Sequence, residues 1–250
     1  MFIPSLFQDN QDSLYVFDKT IPSVCSVTPE GLAMPIGKHL ITTSSKVPYA
    51  IVQEARQAFY KSPDAYYFIG REPKDGKQAL FLSRNSEDSI RIEEVHRFVL
   101  DNTHSSWMVN FGKAACQPKR QIIAYAYHLF PAMQFIDLNS RKCRTLCLEK
   151  TNPTALKTDV ADIWEQNTVY YHDITSSDKF IYVLYWGKTN EDMHHNKSNG
   201  TATSLIIKYN WNGDMVATYT FNGCLYRIGV SSEDAHLIGY DGTSLCVIQR

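Results

Sequence analysis

The feature that most constrains the fold is a unit that recurs along the chain: a short apolar strand, a polar turn, then a strand in which apolar and polar residues alternate. Its clearest copy is residues 204–221, SLIIKYNWNGDMVATYTF. Leu205, Ile207 and Tyr209 fall on one face, Ile206 and Lys208 on the other; Met215, Ala217, Tyr219 and Phe221 alternate again on the return. A period of two is that of a strand with two different faces. The Asn212-Gly213 pair between the halves is a strong hairpin signal, and it predicts a turn whose two central residues both take positive φ. The same outline returns at 132–148 (AMQFIDLNSRKCRTLCL), at 79–92 (ALFLSRNSEDSIRI) and, more loosely, at 13–27 (SLYVFDKTIPSVCSV).

More continuous apolar strands precede these copies at 66–70 (YYFIG), 122–127 (IIAYAY) and 180–187 (FIYVLYWG), and a last pair follows at 236–240 and 244–249. Repetition of about four strands every 40–50 residues is the signature of a β-propeller blade. The expected fold is therefore all-β, a single β-propeller domain over 1–250 with strand groups near 1–30, 60–97, 105–150, 165–222 and 223–250. The near-continuous apolar strands are expected to be the inner, fully buried ones, and the strands carrying Lys, Arg and Thr to lie toward the rim.

Three stretches stand apart from the pattern. Residues 51–61 and 92–100 place apolar side chains at helical spacing (Ile92, Val95 and Val99 in the second) and read as either a short helix or a strand with a bulge. Residues 188–203, KTNEDMHHNKSNGTAT, are polar and aperiodic and are expected to form a long exposed loop.

Composition agrees with a β-rich chain. Ile, Val and Thr number 50, with Tyr 15, Phe 12 and Trp 4, residue types that fit a pleated, half-buried surface. A net charge of −1 gives no reason to expect a nucleic-acid partner. The longest strongly apolar run, near 180–186, is far short of the ~20 residues that a membrane-spanning helix needs. Residues 1–10, MFIPSLFQDN, lack the basic and long apolar regions of a signal peptide, so the sequence itself leaves localisation open. The six cysteines are scattered, without a Cys-x-x-Cys pair, and read as reduced thiols.

The candidate site residues are few. His194-His195, with Glu191 and Asp192 nearby, and His172-Asp173 before a buried strand are the candidate metal ligands, together with Asp137; no catalytic or cofactor-binding residue is assigned. No cofactor is expected, Ca²⁺ being the ion such a site would take. Each of these residues also has a plain role, because Asp and Asn beside a strand end accept backbone hydrogen bonds in turns. Asp18, Ser83, Asp137 and Asn210 occupy the equivalent turn position and alternate between charged and neutral, which suits turn capping better than metal ligation. Gly-x-Ser-x-Gly and a Gly-rich phosphate loop do not occur.

The C-terminal half resembles a known family. Residues 170–187 (YYHDITSSDKFIYVLYWG), then SLIIKYNWNGDMVATY, then 225–240 (LYRIGVSSEDAHLIGY) are similar in order and motif to the TolB-like, six-bladed-propeller-like proteins of Bacteroidetes. The resemblance covers about 125–250, and residues 107–112 and 136–138 also fit it. Against that pattern an N-terminal blade and a secretion signal are missing, as in a truncated form. The resemblance implies an extracytoplasmic, cell-envelope propeller and transfers no catalytic motif. The expected function is a non-catalytic propeller that binds a protein, peptide or glycan on its loop face. The alternative is a divalent-metal-dependent hydrolase or lactonase, which requires three or four polar ligands from different blades to converge.

Overall fold

The computed structural model describes residues 5–8, 14–18, 23–28, 33–35, 57–62, 64–72, 74–86, 90–104, 107–148, 155–158, 163–231 and 233–248. The chain packs as two units, residues 1–100 with 118–120, and residues 101–117 with 121–250.

The first unit holds two four-stranded antiparallel meanders. One is β1 (Ser5–Gln8), β2 (Leu14–Asp18), β3 (Ser23–Val27) and β4 (Ala33–Pro35). The other is β5 (Gln57–Ser62), β6 (Ala65–Arg71), β7 (Gln78–Asn85) and β8 (Ile90–Arg97). The two ambiguous stretches resolve as bulged strands where they are described; residues 51–56 lie outside the described residues. In β8 the partner of Leu80 is His96 and that of Phe81 is Glu94, so Val95 is the extra residue. In β5 Tyr60 opposes Tyr66 and Ser62 opposes Ala65, which makes Lys61 the extra one.

The second unit holds three meanders. They are β9 (Gly112–Gln117) to β10 (Ile122–Tyr127), β11 (Ala132–Asp137) and β12 (Cys143–Cys147); then β13 (Val169–Ser176), β14 (Phe180–Lys188), β15 (Thr203–Asn210) and β16 (Met215–Asn222); then β17 (Arg227–Val230), β18 (Leu237–Tyr240) and β19 (Leu245–Ile248). The first strand of each sheet lies beside the first strand of the next: β9 against β13, and β13 against β17. Two short helices, α1 (Ile163–Gln166) and α2 (Asn190–Ser198), occupy connections.

The middle sheet is buried on both sides. Along β14, Ile181 and Val183 join the core with Ala124, Met133 and Phe135 of the preceding sheet. The intervening Tyr182, Leu184 and Trp186 join the core with Leu225, Ile228 and Leu237 beside the next sheet. This is why FIYVLYW reads as an unbroken apolar run: each face of the strand meets a neighbouring sheet. Removing such a side chain from water contributes about 1.5–3 kcal/mol.

Two expectations are corrected. The Asn212-Gly213 turn has positive φ only at Gly213 (85°). The Gly213 N–H donates to Asn210 O at 2.9 Å and Asn210 N–H to Asp214 O at 3.0 Å, so the connection is the longer turn that ends in a left-handed glycine. The polar stretch 188–203 is not a continuous loop, since it contains α2. Thr189 caps that helix, its side chain accepting from the Asp192 N–H at 3.0 Å, and Met193 anchors it with no exposed surface.

Candidate functional site

Three first strands of the second unit bring charged and polar side chains together: β9 supplies Lys113 near its start, β13 supplies His172 and Asp173 from its middle, and β17 supplies Arg227 at its start. Local backbone irregularity aims the middle pair. Val169 pairs with Lys188, Tyr171 with Tyr185 and Asp173 with Leu184. The first shift leaves an extra residue on β14 at 186–187, and the second makes His172 the extra residue on β13. Bulges of this kind re-aim a side chain out of the alternation. Here the His172 ring lies flat on the Trp186 indole, centroids 3.7 Å apart and planes within 5°.

Further rings extend the stack into an arc. His172 is 5.9 Å from His128, which meets Phe111 edge-on at 4.7 Å, and Phe111 lies 5.2 Å from Trp164 of α1. On the other side Trp186 is 5.8 Å from Tyr226, and Tyr226 is 6.2 Å from His194 of α2. Trp186 is fixed in place because its Nε1–H donates to Leu225 O at 3.0 Å. Lys197 lies over the Tyr226 ring at 4.8 Å, and its ammonium donates to Asp241 O at 2.9 Å.

The charges beside the arc are few and mostly positive. Lys113 Nζ is 2.9 Å from Asp173 Oδ1, and the Ile228 N–H donates to Asp173 Oδ2 at 3.0 Å, so both oxygens of this buried carboxylate are engaged. Burial lowers the Lys113 ammonium below its ordinary range; Asp173 pulls it back up and Arg227 pushes it down. Burial likewise holds the His172 imidazole well below its usual pKa, and the positive charges of Lys113 and Arg227 act in the same direction. His172 is therefore neutral at pH 7, with its Nδ1 buried and without a hydrogen-bond partner. The arc is thus a largely desolvated aromatic surface beside one ion pair and the further cation Arg227.

The candidate residues from the sequence are distributed as follows. His172 and Asp173 sit at the centre of the arrangement, and His194 lies at its edge against Tyr226. His195 is exposed on α2, its Nε2 2.9 Å from Asn199 Nδ2. Asp137 is in a β11–β12 turn, where the Asn139 and Ser140 N–H groups donate to its Oδ1 at 2.9 and 2.8 Å. Those bonds, Ser140 first, hold its carboxyl below the usual range. Asn210 does the same in the β15–β16 turn, accepting from the Asn212 and Asp214 N–H groups. Among the described residues no group of three or more His, Cys, Asp or Glu is placed to hold a metal ion.

Sequence reasoning missed Lys113, Trp186, Tyr226 and Arg227. The one available signal was a charge opening an otherwise apolar strand, GKAACQ and RIGV.

A sequence model described as TolB-like 6-blade propeller-like matches residues 93–233, more than half of the chain. The chain belongs to this family. Its fold is an all-β propeller fold, built among the described residues from the five antiparallel sheets above. One similar solved structure is a member of the duf4221 family from Bacteroides vulgatus, 10% identical, covering 96% of this chain and 73% of that one at a TM-score of 0.56. Another is the extracellular domain of a putative one-component system from B. thetaiotaomicron, 7% identical, covering 97% and 27% at 0.52. A streptogramin B lyase structure is 10% identical, covering 98% of this chain at 0.49; the chain spans 64% of that protein's length. No curated protein matches the chain. No helix among the described residues is long and apolar enough to cross a membrane.

Proposed function

We propose that this family member is a non-catalytic recognition propeller of the cell envelope whose binding end is the His172–Trp186 arc. The observation that carries the reading is the bulge-directed stack of a neutral His172 on Trp186 at 3.7 Å, flanked by Lys113 and Arg227 on neighbouring first strands. Rigid strands hold the rings in place, while a helix and loops of different length border them, and this division suits recognition. The metal-dependent hydrolase reading needs carboxylates free to ligate. Asp173, the carboxylate at the centre, is already bound by an ammonium and a backbone N–H. The envelope placement rests on the family resemblance and on likeness to a protein described as an extracellular domain.

The test is binding of the full chain to peptide and glycan arrays, repeated with Tyr226→Ala and His172→Ala. Binding that is lost in both variants while their melting is unchanged supports the proposal. A stoichiometric bound metal, with a melting shift on EDTA that Ca²⁺ reverses, overturns it in favour of the hydrolase.

A further inference from the structure

We infer that the outer edge of β16 is a self-association site: a second copy of this chain adds its own β16 antiparallel to it, so that two four-stranded sheets become one continuous sheet. The inference is independent of the arc and concerns an interface rather than a ligand.

The edge is open. β15 pairs with one side of β16, from Thr203 opposite Asn222 to Tyr209 opposite Met215, and among the described residues the sheet ends at β16. Its far side therefore presents a row of backbone N–H and C=O groups, and the partner that matches such a row is another extended strand. No residue of β16 is buried, and Met215 and Val216 are 61% and 51% exposed.

The edge is also unguarded, unlike the other outer strands. β8 reads IRIEEVHR and carries Arg91, Glu93, Glu94 and Arg97. β12 has five residues and carries Arg144, β4 has three and ends in Pro35, and β19 has four. Charges, proline and shortness are the usual means of keeping an edge from pairing. β16 reads MVATYTFN: eight residues without a charge, a proline or a glycine, rich in the β-branched and aromatic types that favour strands. Its one irregularity is at the start, where Lys208 opposes Ala217 and Tyr209 opposes Met215, leaving Val216 as the extra residue. Residues 217–222 remain a regular strand.

The absence of charge selects a second copy as the occupant. Antiparallel pairing of a strand with itself about a twofold axis sets each side chain opposite one from the same sequence. With the axis at Tyr219, Tyr219 faces its own copy, Thr218 faces Thr220 and Ala217 faces Phe221; aromatic and Thr–Thr cross-strand pairs are favourable. The same operation about the middle of β8 sets Glu93 or Glu94 against its own copy, a like-charge pair that opposes association.

Sedimentation equilibrium of the full chain from low to high micromolar concentration tests this. The mass should rise from monomer to dimer, and Thr218→Lys, an exposed position, should weaken dimerisation at least ~10-fold while melting measured at monomeric concentration stays unchanged. Leu245→Lys, which charges β19 instead, should leave the dimer as it is. A chain that stays monomeric throughout overturns the inference; if that monomer binds a synthetic peptide of residues 215–222, the edge takes a strand from another protein rather than from a copy. A dimer that survives Thr218→Lys, or one that Leu245→Lys abolishes, also overturns it.

Discussion

Replacing Asp234 with Asn should destabilise the second unit by about 2–4 kcal/mol, and the reasoning can be followed atom by atom. Asp234 lies in the turn between β17 and β18 at φ 65°, a conformation that Asn also tolerates, so the substitution adds no backbone strain. Its Oδ2 is 2.8 Å from Lys208 Nζ of β15, and its Oδ1 accepts from the Ser177 hydroxyl at 3.2 Å and from the Tyr182 hydroxyl. The two charged side chains are only 10% and 13% exposed. Removing one partner of a buried pair costs about 3–5 kcal/mol, because the other charge is left desolvated. Asn keeps a side-chain oxygen that can accept from Lys208, which returns about 1 kcal/mol. At roughly 2–4 °C per kcal/mol for a chain of this size, the melting point should fall by about 5–15 °C. Urea unfolding followed by tryptophan fluorescence measures the loss. Adding Lys208→Met should recover part of it, because the stranded charge is then gone. A loss below ~0.5 kcal/mol in Asp234→Asn, or strict additivity of the two substitutions, would refute the argument.

Three further outcomes are expected. His172 has a folded pKa below its unfolded value, so the unfolded chain takes up the proton first as pH falls. Stability should therefore decline below about pH 6.5, by at most ~1.4 kcal/mol per pH unit from this group, and His172→Phe should flatten that part of the pH–stability curve. Gly112→Ala would put a methyl group 2.2 Å from Ala126 O, a backbone atom that cannot swing aside, so a loss of at least about 1–3 kcal/mol is expected in the same unfolding assay. The Cys116 thiol is pushed up to about 12 by burial, so thiol labelling of the native protein near neutral pH should modify the exposed Cys143 and Cys147 and leave Cys116 untouched until denaturant is added.

Strands were legible in the sequence wherever alternation was undisturbed, as in β15 and β16, and obscured wherever one residue was inserted. In β8 the extra Val95 changes the apolar spacing from two to three and so imitates a helix at Ile92, Val95 and Val99. Helix α2 was illegible for a different reason. It buries only Met193, so it carries almost no apolar stripe, and its one signal was the cap at Thr189 with Asp192 three residues on. At the site, His172 and Asp173 stood out as a polar pair ahead of a buried strand, and the structure places them inside β13. Lys113 and Arg227 did not, because a lone charge at a strand end is ordinarily solvated. Only the packing of three sheets half-buries them beside His172.

The ion pair at the arc also dates the site within the folding reaction. Lys113 and Asp173 are 60 residues apart, and Asp173 and Ile228 are 55 apart. Contacts of such sequence separation form late, after the loop-closure entropy of everything between them has been overcome. A nascent or proteolytically nicked chain with two of the three sheets in register would have most of its secondary structure and lack part of this arrangement, which makes the Lys113–Asp173–Ile228 contacts a stricter mark of native assembly than circular dichroism.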